Sequence, residues 1–214
     1  MQTYKRSLII LVATLLLSLC GFAQNGPDHR WTFNVGAGPT AAIGTMHNRL
    51  NTGWNFNAGA GINIKNPFAI MAEFGYNSFG IADQALAQLN VPDGNARIYS
   101  VTIDPMIRIG TDSRFGAYVI GGGGWYRRTV EFTRPTTAIV PFFDPWWGFF
   151  GQAIIPANQV IGSRTEDVGG ANIGAGFTFG VSHGAKFYTE ARYHWMNAGA
   201  HNTTILPITF GVRW

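Results

Sequence analysis

Six side chains have the ionisable groups that acid–base or ion chemistry requires. They lie in segments that alternate apolar and polar residues, on the side expected to face inward: Glu73, Asp104, Arg108, Glu190, Arg192 and His194. Counted from the nearest short turns, the three carboxylates fall at similar heights, with Arg108 just below and Arg192 just above. Unpaired charges in a narrow interior are costly, so we expect one buried network of interleaved carboxylates and guanidiniums. Such a network can plug an interior, conduct protons or ions, or provide an acid–base pair.

A second group consists of six aromatic residues within nine positions of a long segment: Phe142, Phe143, Trp146, Trp147, Phe149 and Phe150. One interpretation places them in an aromatic girdle or over the mouth of a barrel. The other is an exposed adhesive patch for a partner, lipopolysaccharide or an apolar solute. We favour the first interpretation and keep the second open.

Metal and cofactor chemistry find little support in the residue spacing. The histidines outside the charged group show no ligand spacing, so no metal site is predicted: His29, His47, His183 and His201. The glycine run 121–124 is followed by neither a Lys-Ser/Thr pair nor a helix, which argues against a phosphate-binding loop. We therefore predict no catalytic residue, no metal and no cofactor.

The elements that must position these residues show period-two alternation, which predicts strands with one apolar face. The expected strands span 31–38, 54–64, 68–77, 99–109, 115–133, 171–179, 187–195 and 204–214. The face opposite the apolar one is mainly Asn, Gly and Thr. The parity of the fifth strand is uncertain around Gly121 to Gly124.

The connections alternate between short and long. Short turns are expected near Asn66, Thr111 and His183, and longer loops near Met46, Leu86, Phe149 and Gly199. A short helix is predicted within 80–96, and 134–167 is predicted to be the longest irregular stretch. This alternation is typical of an outer-membrane barrel, whose short turns face the periplasm and whose longer loops lie outside.

The N-terminus predicts export. Lys5 and Arg6 precede an apolar run from Leu8 to Leu19, and small residues follow up to Ala23, as in a cleaved signal peptide. We therefore assign residues 1–23 to a signal peptide and 24–214 to an outer-membrane β-barrel domain. The lone Cys20 lies inside the signal segment, and bulky Leu19 before it argues against lipidation. The mature chain then has no disulfide.

Composition limits the remaining classes of protein. Charged residues make up 12% of the chain, about half the share usual for soluble domains, and glycines number 28. Without Lys5 and Arg6 the chain keeps 13 basic against 11 acidic residues, so its charge gives no reason to expect nucleic acid. A soluble lipocalin-like barrel would need Lys, Glu and Asp on its outer face. The composition favours an all-β, eight-stranded antiparallel up-and-down transmembrane barrel.

On strand number, on the Phe-Tyr-Thr-Glu-Ala-Arg-Tyr-His segment and on the ending Pro-Ile-Thr-Phe-Gly-Val-Arg-Trp, the chain resembles the OmpA/OmpX-like outer-membrane β-barrel family. The resemblance covers essentially the whole mature chain. It implies recognition by the barrel-assembly machinery through the alternating residues Ile208, Phe210, Val212 and Trp214. It implies no particular activity.

The segment from His194 to Gly199 also resembles the His-x-Ser-Asn stretch of outer-membrane lipid A deacylases. In those enzymes a serine attacks the ester and the histidine is its base. Met196 occupies the serine position here, and a thioether cannot be activated in that way. A deacylase would need another nucleophile, Thr203 or Thr204, so we expect that the protein is not an enzyme.

Together these features predict a monomeric outer-membrane protein with a structural or surface-interaction role: envelope integrity, adhesion or binding through long external loops. Expected partners are outer-membrane lipid, lipopolysaccharide, the assembly machinery and a surface ligand of the loops. A small pore is the alternative. An eight-stranded barrel has room only for its own side chains, which favours a plug over a conduit.

Overall fold

The computed structural model describes residues 30–110, 114–182, 185–199 and 201–214. In chain order the strands are β1 (Trp31–Ile43), β2 (Gly53–Lys65), β3 (Phe68–Gly80), β4 (Asp93–Ile109), β5 (Phe115–Asp144), β6 (Phe149–Ser182), β7 (Ala185–Ala198) and β8 (His201–Arg213). A single-turn 3-10 helix (Gly44–Met46) follows β1, and a short helix, α1 (Asp83–Leu89), separates β3 from β4. None of the helices in these ranges is long and apolar enough to cross a membrane.

The eight strands of the described residues form a closed antiparallel barrel in chain order. Each strand pairs with its neighbours in sequence, and β1 closes the ring against β8 with Val35 opposite Val212. Backbone hydrogen bonds between Phe33 and Trp214, at 2.8 and 2.9 Å, extend this closing ladder by one pair. Because closure pairs both terminal strands, the ring has no free sheet edge, and the predicted fold class is confirmed.

The apolar side chains of the barrel wall point outward. Phe56, Ile103 and Phe177 are each more than a third exposed, whereas their polar neighbours face the lumen. Two girdles of aromatic residues surround this outward face. The girdle near the short turns contains Phe68, Phe115, Phe179, Phe187 and Trp214. The girdle at the other end of the barrel wall contains Trp54, Tyr76, Tyr99, Trp125 and Trp195.

The lumen is filled in three layers. An apolar layer near the short turns contains Ala69, Met71, Met106, Tyr118, Ile120 and Tyr188. An apolar layer at the opposite end contains Ala42, Phe79, Ala96, Ile98, Tyr126, Met196 and Ile205. Buried polar residues, including Asn34, Glu73, Asp104, Glu190 and Arg192, lie between the two. The polar layer is therefore closed off by packed apolar side chains on both sides.

The prediction that 134–167 is irregular is wrong. Residues Arg134 to Asp144 continue β5, residues 149–167 belong to β6, and the two strands pair up to Asp144 opposite Phe149. Alternation marks a strand only where its two faces meet different surroundings. Here both faces carry apolar residues, so the periodic signal is absent although the strands are present.

Two other loop predictions need correction. The expected longer loop near Gly199 is short, because β7 ends at Ala198 and β8 begins at His201. The irregular stretch 80–96 contains the predicted helix, but its last four residues, from Asp93, already belong to β4 and pair with β5.

The strand parity that the glycine run obscured is unbroken. Tyr118, Ile120 and Tyr126 all point into the lumen, so Gly122 and Gly124 are luminal as well. A Cβ at Gly122 would contact the carbonyl oxygen of Ile103 and lie 2.5 Å from Asp104 Oδ1. The absence of a side chain at this position therefore leaves space for the Asp104 carboxylate.

Several predictions concern residues outside those that the structure describes. They are the signal peptide over 1–23, the state of Cys20, and the turn residues Thr111 and His183.

Candidate functional site

The centre of the lumen is the guanidinium of Arg192, which contacts all three predicted carboxylates. Its Nε donates a 2.7 Å hydrogen bond to Glu190 Oε1, and Nη2 lies 2.6 Å from the same oxygen. Its Nη1 donates to Asp104 Oδ2 at 3.1 Å and forms an ion pair with Glu73. Because Arg192 projects from β7 while Glu73 and Asp104 project from β3 and β4, the cluster joins opposite sides of the barrel.

Each carboxylate of this cluster has a second hydrogen-bond donor. Asn34 Nδ2 donates to Glu73 Oε1 at 2.6 Å, and Tyr118 OH donates to Glu190 Oε2 at 2.8 Å. Asp104 accepts from Thr102 Oγ1 at 2.6 Å and from Asn172 Nδ2 at 2.7 Å. Additional hydrogen bonds are what allow a buried ion pair to offset the cost of removing its charges from water. These four donors project from four strands, β1, β4, β5 and β6.

Arg213 is a second buried cation, on the side of the network nearest the short turns. Its guanidinium carbon lies 4.4 Å from the ring centre of Tyr118 and 4.9 Å from that of Tyr188. Its Nη2 is 3.9 Å from Glu190 Oε2. The aromatic faces therefore provide much of its favourable contact, in the manner of cation–π pairs.

The other two predicted network residues occupy different surroundings. Arg108 is only half-buried, and in the described part of the chain its Nε has no hydrogen-bond partner. His194 is buried above the carboxylates, and its Nδ1 lies 3.0 Å from Tyr126 OH. The structure thus brings Glu73, Asp104, Glu190 and Arg192 into one cluster, with His194 adjacent and Arg108 apart.

A small cavity lies beside this cluster. Its volume is about 30 Å³, and its lining includes Asn55, Asn57, Ser100 and Thr209 together with Glu73. A space of this size holds about two water molecules. Such a cavity is too small for an organic substrate or for a continuous column of water.

The geometry around His194 does not assemble a nucleophile and base. Met196, at the position of the family serine, is fully buried. Thr203 Oγ1 accepts a hydrogen bond from Arg128 Nη1, and Thr204 Oγ1 donates to Ile43 O at 2.8 Å. His194 has Tyr126 OH as its hydrogen-bonding neighbour, so neither threonine is activated by this histidine in the structure. Among the described residues, no group of three or more His, Cys, Asp or Glu is placed to hold a metal ion.

The six clustered aromatic residues lie far from this lumen, at the tip of the β5–β6 ribbon. We use this name for residues 134–163, which leave the barrel after β4 has made its last pair, Asp93 with Thr133. From Arg134 to Asp144 the ribbon extends about 36 Å at about 3.3 Å per residue. The aromatic residues are therefore placed at an exposed hairpin end and not in the girdle of the barrel.

A charged collar lies where the ribbon leaves the barrel. It consists of the ion pairs Arg97–Glu131, Arg127–Asp167, Arg128–Glu166 and Arg164–Glu166. Arg127 donates two hydrogen bonds to Asp167, at 2.8 and 3.0 Å, and its guanidinium also lies 5.1 Å from the ring centre of Trp125. This collar separates the lipid-facing girdle from the apolar ribbon.

The alternating residues of β8 lie on the outer wall. Ile208 and Phe210 are exposed, and Val212 and Trp214 are half-buried. Arg213, which falls between the last two, points inward. The strand therefore presents its apolar side outward from Leu206 onward, whereas Ile205 faces the lumen.

Sequence reasoning missed the neutral half of the luminal network. Asn34, Tyr118 and Asn172 hold the carboxylates, and each has the same strand parity as the charged residues. A search for polar residues at inward-facing strand positions could have identified these three, whereas a search for charged residues could not. Arg213 has inward parity too, but its position near the end of the last strand left it out of the predicted layer.

Known proteins support this architecture. A family model described as an outer membrane protein β-barrel domain matches residues 9–213. Neisserial surface protein A has 13% sequence identity and a TM-score of 0.58, with 88% of this chain and 98% of that chain covered. Ail of Yersinia pestis, in complex with the heparin analogue sucrose octasulfate, has 15% identity and a TM-score of 0.50, with 86% and 97% covered. No curated protein matches the sequence closely.

Proposed function

Since the chain belongs to the outer membrane protein β-barrel domain family, we propose that it is a plugged outer-membrane anchor that presents the β5–β6 ribbon to a surface partner. The observation that carries the proposal is the contrast between a closed lumen and an exposed ribbon tip. Trp146 and Trp147 are 89% and 86% exposed, so these large apolar side chains are free to bind.

The packed lumen supports an anchor over a pore. A conducting path needs continuous water, whereas the polar layer is enclosed by Met71 and Tyr118 on one side and by Phe79, Tyr126 and Met196 on the other. Arg192 and its three carboxylates lie between these two layers, and the cavity beside them is too small for a continuous column of water. Charges held by opposite charges contribute to the plug and are not available to passing ions.

Two further partners follow from the outer wall. We propose that membrane lipid, including lipopolysaccharide, covers the apolar wall between the two aromatic girdles. We also propose that the barrel-assembly machinery recognises the outward residues of β8, from Ile208 to Trp214. Cells carrying Phe210→Ser should accumulate less folded barrel in the outer membrane, and an unchanged amount would contradict this second proposal.

Planar-bilayer recording tests the plug. The purified protein should give no steady current, because its lumen has no continuous water path. Insertion is verified in parallel by protection of the barrel from added protease. A steady current from inserted protein would favour the pore and refute the plugged anchor.

Shortening the ribbon tests the surface role. A variant that lacks residues 135–158 and joins Arg134 to its cross-strand partner Gln159 through an Asn-Gly turn should keep the barrel, since the deleted strand residues pair only with each other. Cells that display the wild-type protein should attach to surfaces coated with lipid, glycan or protein, and cells with the shortened variant should not. Equal attachment, at equal surface amounts of the two proteins, would refute a role for the ribbon.

A further inference from the structure

The ribbon is apolar on both faces, which distinguishes it from an ordinary docking surface. One face carries Ile139, Phe143, Phe150 and Ile154, and the other carries Phe142, Phe149 and Ile155. All seven side chains are exposed. A ribbon that packs flat on a protein or a membrane needs only one apolar face and keeps the other for water. Apolar residues on both faces fit a tip that enters an apolar medium.

The charge distribution specifies that medium further. Between Arg134 and Arg164 the only charged residue is Asp144. Its Oδ1 accepts hydrogen bonds from the backbone nitrogens of Trp146 and Trp147, at 2.8 and 3.4 Å, so this charge is used within the turn. The tip therefore offers no cation to phosphate groups and only one internally bonded anion.

The residue types at the tip match the boundary between water and lipid. Trp146 and Trp147 form the turn, and the rings of Phe143 and Phe150 pair across the strands with centres 4.6 Å apart. Tryptophan prefers the headgroup level of a bilayer, where its ring meets acyl chains and its N–H meets water. A compact aromatic tip of this kind is suited to the interface.

The backbone limits how deep such a tip can enter. Beyond Thr133 and Gly169, strands β5 and β6 pair with each other while their outer edges have no further strand beside them in the described structure. Unpaired N–H and C=O groups cannot lie in the hydrocarbon core. Interfacial segments enter about 5–10 Å, which at about 3.3 Å per residue covers the turn and two or three residues of each strand. That depth includes Phe143 and Phe150 and excludes Ile139.

We infer that the tip of the β5–β6 ribbon, residues 142–150, inserts into the interface of an apposed lipid bilayer with electrically neutral headgroups. The bilayer is a second membrane because the ribbon continues the strands away from the barrel wall for about 36 Å. This inference rests on the proposed surface role of the ribbon and names lipid as its partner.

Flotation with phosphatidylcholine vesicles tests the inference. The full-length protein, held in nanodiscs with one copy each, is mixed with these vesicles and centrifuged through a density gradient. Wild-type nanodiscs should rise with the vesicles, and the double variant Trp146→Ser/Trp147→Ser should partition at least tenfold less. The exposed turn leaves barrel folding intact, which circular dichroism and heat-dependent gel mobility verify.

The matched control removes two apolar residues from the same ribbon behind the tip. Ile139 and Ile154 are a cross-strand pair, and Ile139→Ser/Ile154→Ser should change partitioning less than threefold. An equal loss in both double variants, or no flotation of the wild type, would overturn the inference. So would growth of the wild-type particles in the absence of vesicles, which would indicate that a second copy is the partner.

Two further readings locate the contact. Phosphatidylcholine brominated near the headgroup end of its acyl chains should quench tryptophan fluorescence of the wild type and quench the Trp146→Ser/Trp147→Ser variant much less. Partitioning should not change between 50 mM and 500 mM NaCl, because no cation lies at the tip. Loss of binding in salt would assign it to the charged collar and refute tip insertion. Vesicle failure with persistent cell attachment would refute lipid as the partner while leaving the surface role intact.

Discussion

The lumen and the ribbon differ in where their side chains find partners, although strands β5 and β6 contribute to both. In the lumen, Arg192 is buried and surrounded by three carboxylates that have further donors of their own. In the ribbon, apolar side chains of both faces remain exposed, and the only charged residue between Arg134 and Arg164, Asp144, is hydrogen-bonded within its turn. The charged side chains of the lumen have their bonding partners inside the molecule, whereas Trp146 and Trp147 of the ribbon are almost fully exposed. We therefore expect the stability of the barrel to depend on the lumen, and contact with other surfaces to depend on the ribbon.

The largest effect that can test this contrast is the loss of the central cation. Arg192→Met should destabilise the barrel by about 3–5 kcal/mol, because Glu73, Asp104 and Glu190 would remain buried without their common partner. Urea unfolding in phospholipid vesicles measures the change. Arg127→Met, in the exposed pair with Asp167, is the matched control and should lower the free energy of unfolding far less, because exposed ion pairs contribute little to stability. Equal effects would mean that the lumen is no more dependent on pairing than the surface.

The second test concerns the packing beneath the network. A Cβ at Gly176 would lie 2.5 Å from Tyr118 Oη and 2.6 Å from Thr189 O, so Gly176→Ala must displace the tyrosine that donates to Glu190. Overpacking of this kind costs about 1–3 kcal/mol. Gly169→Ala, on the same strand, is the control, since no described atom lies within 4 Å of its Cβ. If both glycines tolerate alanine equally, the tyrosine has room to move and the lumen is looser than the distances indicate.

How far the sequence predicts each region depends on its surroundings. The barrel wall separates two environments, so Phe56, Ile103 and Phe177 alternate with polar neighbours and reveal the strands, their number and the inward charges. The residues of 134–163 meet one environment on both faces, and the alternation that would reveal their strands is absent. The hydrogen bonds from Asn34 and Asn172 depend on register across the barrel, which single-strand periodicity cannot supply.

A third test asks whether the ribbon contributes to global stability. Phe150→Ser removes the ring contact with Phe143, an interaction worth about 0.5–1.5 kcal/mol. Because the ribbon pairs only with itself beyond Thr133, this loss should appear as local opening. Hydrogen exchange in the ribbon should become about two- to tenfold faster, whereas urea unfolding of the barrel should not change. A lower unfolding midpoint would show that the ribbon and the barrel are one cooperative unit.

The smallest expected effect lies at the collar, where the two regions meet outside the membrane. The hydrogen bond from Arg127 holds the pKa of the exposed Asp167 carboxyl below its ordinary value of 3.8. A pKa lowered in the folded state means that the pair stabilises the folded collar above the ordinary pKa and loses this contribution as the pH falls through the lowered one. The carboxyl carbon of Asp167, followed by NMR, should titrate with a midpoint below 3.8, and Arg127→Gln should return it toward that value. Because both side chains are half exposed, salt should weaken the shift, whereas the Arg192 cluster should be insensitive to salt. A midpoint at Asp167 that does not change with salt would mean that the collar responds to salt as the buried Arg192 cluster does. The contrast between a paired interior and an exposed ribbon would then not extend to the collar.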